Sequence, residues 1–344
     1  MTRVQPRKTS RRAIAVALGL VTLLATACSG NSGNSAAKKN SSGTYSFSVL
    51  ESTPGFFDLP LHVAIDDFAT QNHLKLSIQT VNGGGTLATE FQGGTGTVAM
   101  VGVDTPFRLQ NNKGVAGGVS IIGTNMTHML YALVSKAGSK YTSLASLKGA
   151  NVAVTGAGAA SQVVLQWALI TQAHMQPSDI HIVPLGSPPT ILAGVQKGSV
   201  AAGTVFSPAL DQGLADKSVQ IAYDFRSNSY AQNVFMARTT QLKADQAPYT
   251  NFMKAYQEAV SKLESNPTFA MQAAQKYWGQ GSTPALLKAE LDFYMNDEWK
   301  GTDFPQSLYQ SSRDVLLNAQ SGFTASTFPS YEEMTNGAPS STTQ

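Results

Sequence analysis

Between residues 45 and 103 the apolar positions change period several times. "YSFSVL" (45–50) alternates every second residue, the pattern of a strand with one buried face. Leu61, Ala64, Ile65 and Phe68 then recur at i, i+3, i+4 and i+7, which is a single helix face. Leu74, Leu76 and Ile78 alternate again, "NGGGT" (82–86) opens a short helix, and "VAMVGV" (98–103) is an apolar strand. "DTP" (104–106) starts the next helix, with Asp104 or Thr105 expected as its cap and Pro106 at the first helical position. The order βαβαβ predicts a mostly parallel sheet covered by helices.

The same order recurs after residue 150. "NVAVT" (151–155), "HIVPL" (181–185) and "VAAGTVF" (200–206) read as strands. "ASQVVLQWALITQ" (160–172) and "PPTILAGVQKG" (188–198) read as helices, and "SP" (207–208) is expected to cap another. "HMLYALVS" (128–135) and "SYAQNVFMA" (229–237) look like strands that cross from one half to the other. From Ala247 onward the pattern is helical with no sheet of its own, so those helices should pack back on the first half. The expected fold is α/β, with two domains hinged at two crossovers: 45–132 plus 229–335, and 133–228. Residues 336–344 are expected to form a disordered tail. Ligands of open α/β sheets sit beyond the carboxyl ends of strands, where helix N-termini point, and here two such edges would face each other across a cleft.

The N-terminal segment changes the charge argument. Arg3, Arg7, Lys8, Arg11 and Arg12 precede an apolar stretch from Ala13 to Ala27 that is too short and wrongly flanked for a membrane span. Residues 1–27 therefore read as a signal peptide, and "SRRAIA" (10–15) has a faint twin-arginine look. The run ends in "LLATAC", which resembles a bacterial lipobox with Ala25 where Leu is usual, and Cys28 is the chain's one cysteine. Its position points to lipid attachment after cleavage, leaving residues 28–44 as a flexible tether. The formal charge of +3 includes the five basic residues of that segment; without them about 19 Lys and Arg face 21 Asp and Glu. The basic balance thus gives no support for nucleic-acid binding.

"SLASLKGANVAV" (143–154) resembles the S-x-x-DLKGK-x-V-A-V signature of solute-binding proteins from the nitrate, sulfonate and taurine class of ABC importers, a family that includes binders of thiamine-pyrimidine precursors. The resemblance extends to the Gly-rich loop at 82–86, to "VAMVGVDTP" (98–106) and to "GVQKGSVAAGTVFSP" (194–208). It spans roughly residues 45–330. Ser146, Ala150 and Ala201 depart from the family's usual Asp, Lys and acidic residue. The resemblance implies an exported, monomeric, lipid-anchored receptor that delivers a small molecule to a permease and its ATPase.

"TGAGAAS" (155–161) carries no charge, yet backbone N–H groups at a helix start can hold an anionic or polar group unaided. Gly156 and Gly158 permit close approach, and Ala159 and Ser161 add donors; the plain alternative is a strand–helix connection with glycines for geometry. By the same logic the cleft should collect Glu51, Ser52, Phe56 and Phe57, then Gly84, Gly85 and Thr86, then Asp104 and Thr105, and finally Phe206 and Ser207. Asn125, Tyr223 and Arg226, adjoining the crossovers, complete the candidate contacts. These five loops contain Glu51 and Asp104 but neither Lys nor Arg, which favours an amine-bearing, amphoteric or nearly neutral ligand over a bare anion.

Catalytic and cofactor patterns are missing. The sequence has no His-Glu-x-x-His and no Gly-x-Ser-x-Gly, its glycine loops lack the P-loop and dinucleotide spacings, and His174 and His181 make a poor metal pair. No cofactor, metal or catalytic residue is expected. Two rival readings are a pyrimidine-precursor enzyme, which would need a cleft lysine and a cytosolic address, and a signalling or adhesion module that kept the fold.

Overall fold

The computed structural model describes residues 36–339, apart from positions 53, 82 and 300. The expected signal segment, Cys28, the first part of the expected tether and the last five residues lie outside the described residues.

Strand β1 (Lys38–Lys39) pairs antiparallel with β2 (Tyr45–Glu51), so residues 36–44 are not a free tether where they are described. The Asn40 side chain holds the turn by accepting the Ser42 and Thr44 N–H groups. Helix α1 (Leu59–Val63) continues into a π-helical turn over Ala64–Phe68, and β3 (Leu74–Thr80) returns parallel to β2. After α2 (Gly84–Gln92) comes β4 (Val98–Val101), buried along its length as a strand with both faces covered. Helix α3 (Asp104–Asn111) leads to β5 (Val119–His128). Asp104 is the first residue of α3 and not its cap, and Pro106 is the third; the Thr105 N–H donates to Gly102 O at 3.0 Å.

The chain then crosses to a second sheet. It runs β6 (Ala132–Lys136), β7 (Asn151–Val154), α4 (Ala160–Thr171), β8 (His181–Pro184), α5 (Pro188–Lys197), β9 (Ala202–Val205), α6 (Ala209–Ala215) and β10 (Val219–Asp224). Ser187 caps α5 by accepting the Thr190 N–H, whereas Ser207 caps nothing and Pro208 precedes α6. The chain returns through β11 (Ser229–Arg238), then α7 (Thr239–Ala244), α8 (Ala247–Ser265), α9 (Pro267–Trp278), α10 (Pro284–Phe293), α11 (Gln306–Asn318) and α12 (Tyr331–Met334).

The first sheet has the order β1-β2-β4-β11-β5, with β3 beside β2, and the second β10-β6-β9-β7-β8. Ladders within the βαβ units are parallel, while β5, β6, β10 and β11 pair antiparallel, so both sheets are mixed. The antiparallel ladders arise where the chain enters or leaves a sheet. "HMLYALVS" divides into the end of β5, a three-residue connection and the start of β6. The two crossings are tied side by side: Met129 N–H donates to Asn228 O (3.1 Å) and Phe225 N–H to Tyr131 O (3.2 Å).

The helical segment packs mainly on the first sheet. Phe252, Tyr256, Val260 and Leu263 of α8 form one buried stripe, and Phe252 stacks on Phe47 of β2 at 4.9 Å. Helices α10 and α11 also touch the second half, at α6 and α4 respectively. Residues 336–338 are docked: Asn336 O accepts the Ser120 hydroxyl and Gly337 O the Gln246 amide.

Candidate ligand-binding cleft

A cavity of about 630 Å³ lies between the carboxyl ends of the two sheets. Its walls come from the loop after β2, the starts of α2, α3, α4 and α5, and both crossings. The N-terminal N–H groups of a helix lack intrahelical acceptors and carry partial positive charge. Of the expected contacts, the structure brings Glu51, Ser52, Phe57, Gly84, Gly85, Asp104, Thr105, Gly158, Ala159 and Phe206 to this one cavity.

The uncharged loop at 155–161 is held from within. Ser161 Oγ accepts the Thr155 N–H (3.0 Å) and lies 2.7 Å from Thr155 Oγ1, so its hydroxyl is spent on the loop. Gln162 accepts the Gly158 N–H at 2.9 Å. Gly158 has φ +72, the left-handed region where a side chain is strained, although a Cβ there would meet nothing. Thr155, Ala157, Gly158, Ala159 and Ala160 face the cavity, while Gly156 and Ser161 do not line it.

Acidity dominates the opposite wall. Glu51 is buried at the end of β2, where Thr80 Oγ1 donates to its Oε1 (2.9 Å), and burial raises its pKa. Beneath it, Asp58 accepts the Gly55 N–H at 2.8 Å; burial and then the Glu51 charge hold it well above the usual carboxylate range. Asp104 is also raised by burial, against the opposing pull of Arg108, whose Nε lies 3.3 Å from it. Arg108 is further engaged by Ser321 O (3.0 Å) and by the Phe323 ring (4.7 Å).

Other expected contacts sit elsewhere. Phe56 turns beneath the cleft and stacks on Tyr294 (5.6 Å). Asn125 is buried, its amide donating to Phe57 O (3.0 Å) and Tyr256 Oη (2.8 Å), so it supports the cleft wall from behind. Thr86 is exposed on α2, and Ser207 faces a different cavity. Tyr223 packs edge-on against Phe225 at 5.0 Å. Arg226 grips Asp224 through two bonds of 2.9 and 2.7 Å and lies over Phe293, so it does not reach the cleft. The cavity also holds residues the expected set omitted: Arg108, Leu130, Tyr131, Ser187, Gln232 and Asn233. Tyr131, Gln232 and Asn233 lie on the predicted crossovers, and Ser187 precedes two prolines at a helix start, so the signal for each was present.

This arrangement, two α/β halves around a cleft joined by paired crossings, is the periplasmic-binding-protein fold. The aliphatic sulphonate binding protein SsuA of Escherichia coli superposes with a TM-score of 0.65 at 17% identity, over 79% of this chain and 91% of that one. SsuA of Xanthomonas axonopodis pv. citri, solved with MOPS bound, gives 0.64 at 14% identity over 85% and 96%. A Candida albicans protein described as having the generic periplasmic binding protein fold gives 0.62 at 15% over 84% and 93%. No curated protein matches the sequence. A family model described as "NMT1/THI5 like" matches residues 68–270, and the chain belongs to that family.

Proposed function

We propose that the chain is the solute-binding component of an ABC importer, exported, anchored by a lipid on Cys28, and not an enzyme. The observation that carries this is the cleft itself, built from both sheets at their carboxyl ends and closed behind by two hydrogen-bonded crossings. Residues 45–132 with 229–335 would act as one rigid body and 133–228 as the other. Closure about 128–135 and 223–237 would follow from ligand contacts completed only when both walls meet. Among the described residues the cavity lining has no lysine, histidine or cysteine, which argues against the enzymatic alternative.

The ligand we propose is a small organic molecule bearing a positive or amphoteric group. Glu51 and Asp104 line the cavity, and Arg108, the one basic side chain there among the described residues, is already engaged. The start of α4 favours an anionic or polar group on the facing wall, whereas α5 opens on Pro188 and Pro189, which have no N–H, and its Thr190 N–H is taken by Ser187. An amine or aminopyrimidine would use the acidic wall, and a taurine-like zwitterion would use both.

Thermal unfolding of the purified protein against nitrate, sulfate, alkyl sulfonates, taurine, aminopyrimidines and polyamines tests this reading. A ligand at a hundred times its Kd stabilises the fold by about 2.7 kcal/mol. A rise with an amine, aminopyrimidine or taurine supports the proposal. A rise with bare anions alone keeps the receptor and overturns the ligand class. Silence across the panel favours the signalling or adhesion module.

A further inference from the structure

A second cavity, of about 360 Å³, shares Phe206 with the cleft as a common wall. Phe56, Phe206, Trp278, Leu286 and Leu287 make most of its lining apolar. At its edge stands Glu290 of α10, only 3% exposed, with neither carboxyl oxygen in good hydrogen-bond geometry, although the Ser207 hydroxyl and the Asp211 carboxyl are close enough for weaker, poorly aligned bonds. The Trp278 indole N–H is likewise buried without an acceptor. Both orphaned groups line the same cavity, and a buried polar group without a partner is costly enough to call for an explanation.

The surrounding charge narrows what would fit. Asp211 of α6 and Ser207 flank Glu290, the Tyr294 hydroxyl lies near, and the closest cation, Arg226, is gripped by Asp224. An anion would meet two carboxyls, and a purely apolar molecule would leave Glu290 and Trp278 unpaired. Aromatic faces beside a carboxylate suit a cation. We propose that this second cavity binds a compact organic ammonium with an aromatic or aliphatic body, its ammonium on Glu290 and its body against Phe56, Phe206 and Trp278. A hydroxyl or ether oxygen on the same molecule would take the indole N–H. The site draws on α10 from one half and the 206–208 segment from the other, so an occupant ties the halves together. It does not depend on the transport reading.

Burial and then Asp211 push Glu290 up to about 9, so without a counter-charge the carboxyl keeps its proton. Seating the ammonium beside it releases that proton to solvent. Calorimetric titration of the purified protein with phenethylammonium at pH 7.5, in two buffers of different ionisation heat, reads both events. Saturable binding with net proton release is expected, as is binding about tenfold weaker or more in Glu290→Gln. Ser282→Trp, which fills the cavity, should abolish the heat of this site, and Lys75→Gln, outside both cavities, should leave it unchanged. No saturable heat at millimolar phenethylammonium overturns the proposal. So does binding whose heat and affinity are unchanged in both Glu290→Gln and Ser282→Trp. Equal affinity for neutral 2-phenylethanol would also overturn it, since the site would then be apolar only.

Discussion

The carboxyl of Glu51, on the cleft wall, abuts that of Asp58 behind it, and each leaves one buried oxygen without a donor. One proton shared between them satisfies both. Burial and then the Glu51 charge hold Asp58 well above the ordinary range, and burial raises Glu51, so Asp58 is the group that keeps the proton. Groups with raised folded pKa values contribute stability that is full below the unfolded carboxylate range, near pH 4, and is lost as pH climbs through the folded values.

Asp58→Asn fixes the protonated arrangement permanently. Its amide oxygen can keep the Gly55 N–H, and its NH₂ can face Glu51. The variant should therefore lose less stability than the parent as pH rises from about 4 toward neutral, and be the more stable by about 1–2 kcal/mol at the upper end. Melting curves across that range decide it: parallel curves would mean that the two carboxyls share no proton.

Arg238 ends β11 with its guanidinium buried, donating to the carbonyls of Phe91, Thr95 (3.2 Å) and Gly96 (2.8 Å) and lying 3.8 Å from the Phe91 ring centre. Burial depresses its pKa to about 10, so the charge persists at neutral pH. A lysine lacks the planar fork needed for three carbonyls and a ring face at once. Arg238→Lys should cost about 2 kcal/mol and Arg238→Met about 3–4 kcal/mol, as orphaned carbonyls accumulate. Urea unfolding measures both; a lysine variant within 0.5 kcal/mol, about the usual spread for surface changes, would show that the fork is dispensable.

The alternating and 3.6-period stretches were legible because each buries one face, as in β2, β3, α4 and α8. Strand β5 was not, because Gly123, Thr124 and Asn125 interrupt its apolar run. Those polar side chains are buried against the helical layer, where Thr124 bonds the backbone at Thr302 and Asp303 and Asn125 bonds Tyr256. Strand β10 was missed for another reason: as an edge strand it leaves Ile221 exposed, and the run loses its contrast. Of the residues expected from the loops after strands, Glu51, Asp104, Gly158 and Ala159 line the cavity, whereas Gly156 and Ser161 do not. Side-chain direction was the illegible part. Ser161 turns back to its own loop, and Arg226 is claimed by Asp224 two residues earlier. The acid partner Asp58 sits within a sequence turn of Glu51's loop, yet only the burial of both makes it a pair.

Glu298 links pH to the crossing. It accepts the backbone N–H groups of Thr127 and His128, both at 3.0 Å, while its other oxygen is orphaned, and burial pushes it up to about 8. Because that pKa is raised, its contribution is intact at acid pH and is lost as pH rises through 8. The parent protein should lose on the order of a few kcal/mol between pH 7 and 10 from Glu298 and Glu290 together. Glu298→Gln, which keeps an acceptor for both N–H groups, should flatten the Glu298 share of that loss. Chemical denaturation at pH 7 and pH 9.5 separates the cases, and an unchanged pH slope in the variant would exclude Glu298 as its source.

Arg108 is the cleft's one basic side chain among the described residues, and it is turned toward Asp104, Ser321 O and Phe323. Arg108→Met keeps much of the apolar stem while uncovering Asp104 to the cavity. Burial already raises Asp104, and the loss of Arg108 removes an opposing effect, so the carboxylate would hold its proton more readily until a cation arrives. The partly exposed ion pair is worth little, so the cost to stability should be about 1 kcal/mol, mostly from Ser321 and Phe323. Affinity for an amine-bearing ligand found by thermal screening should rise by about three- to tenfold, because the Arg108 charge no longer opposes the incoming cation and Asp104 can ionise beside it. Calorimetry on parent and variant reads the change directly. If affinity instead falls by about tenfold or more, Arg108 is itself a ligand contact, and the cleft is an anion site in which the acidic wall plays only a structural part.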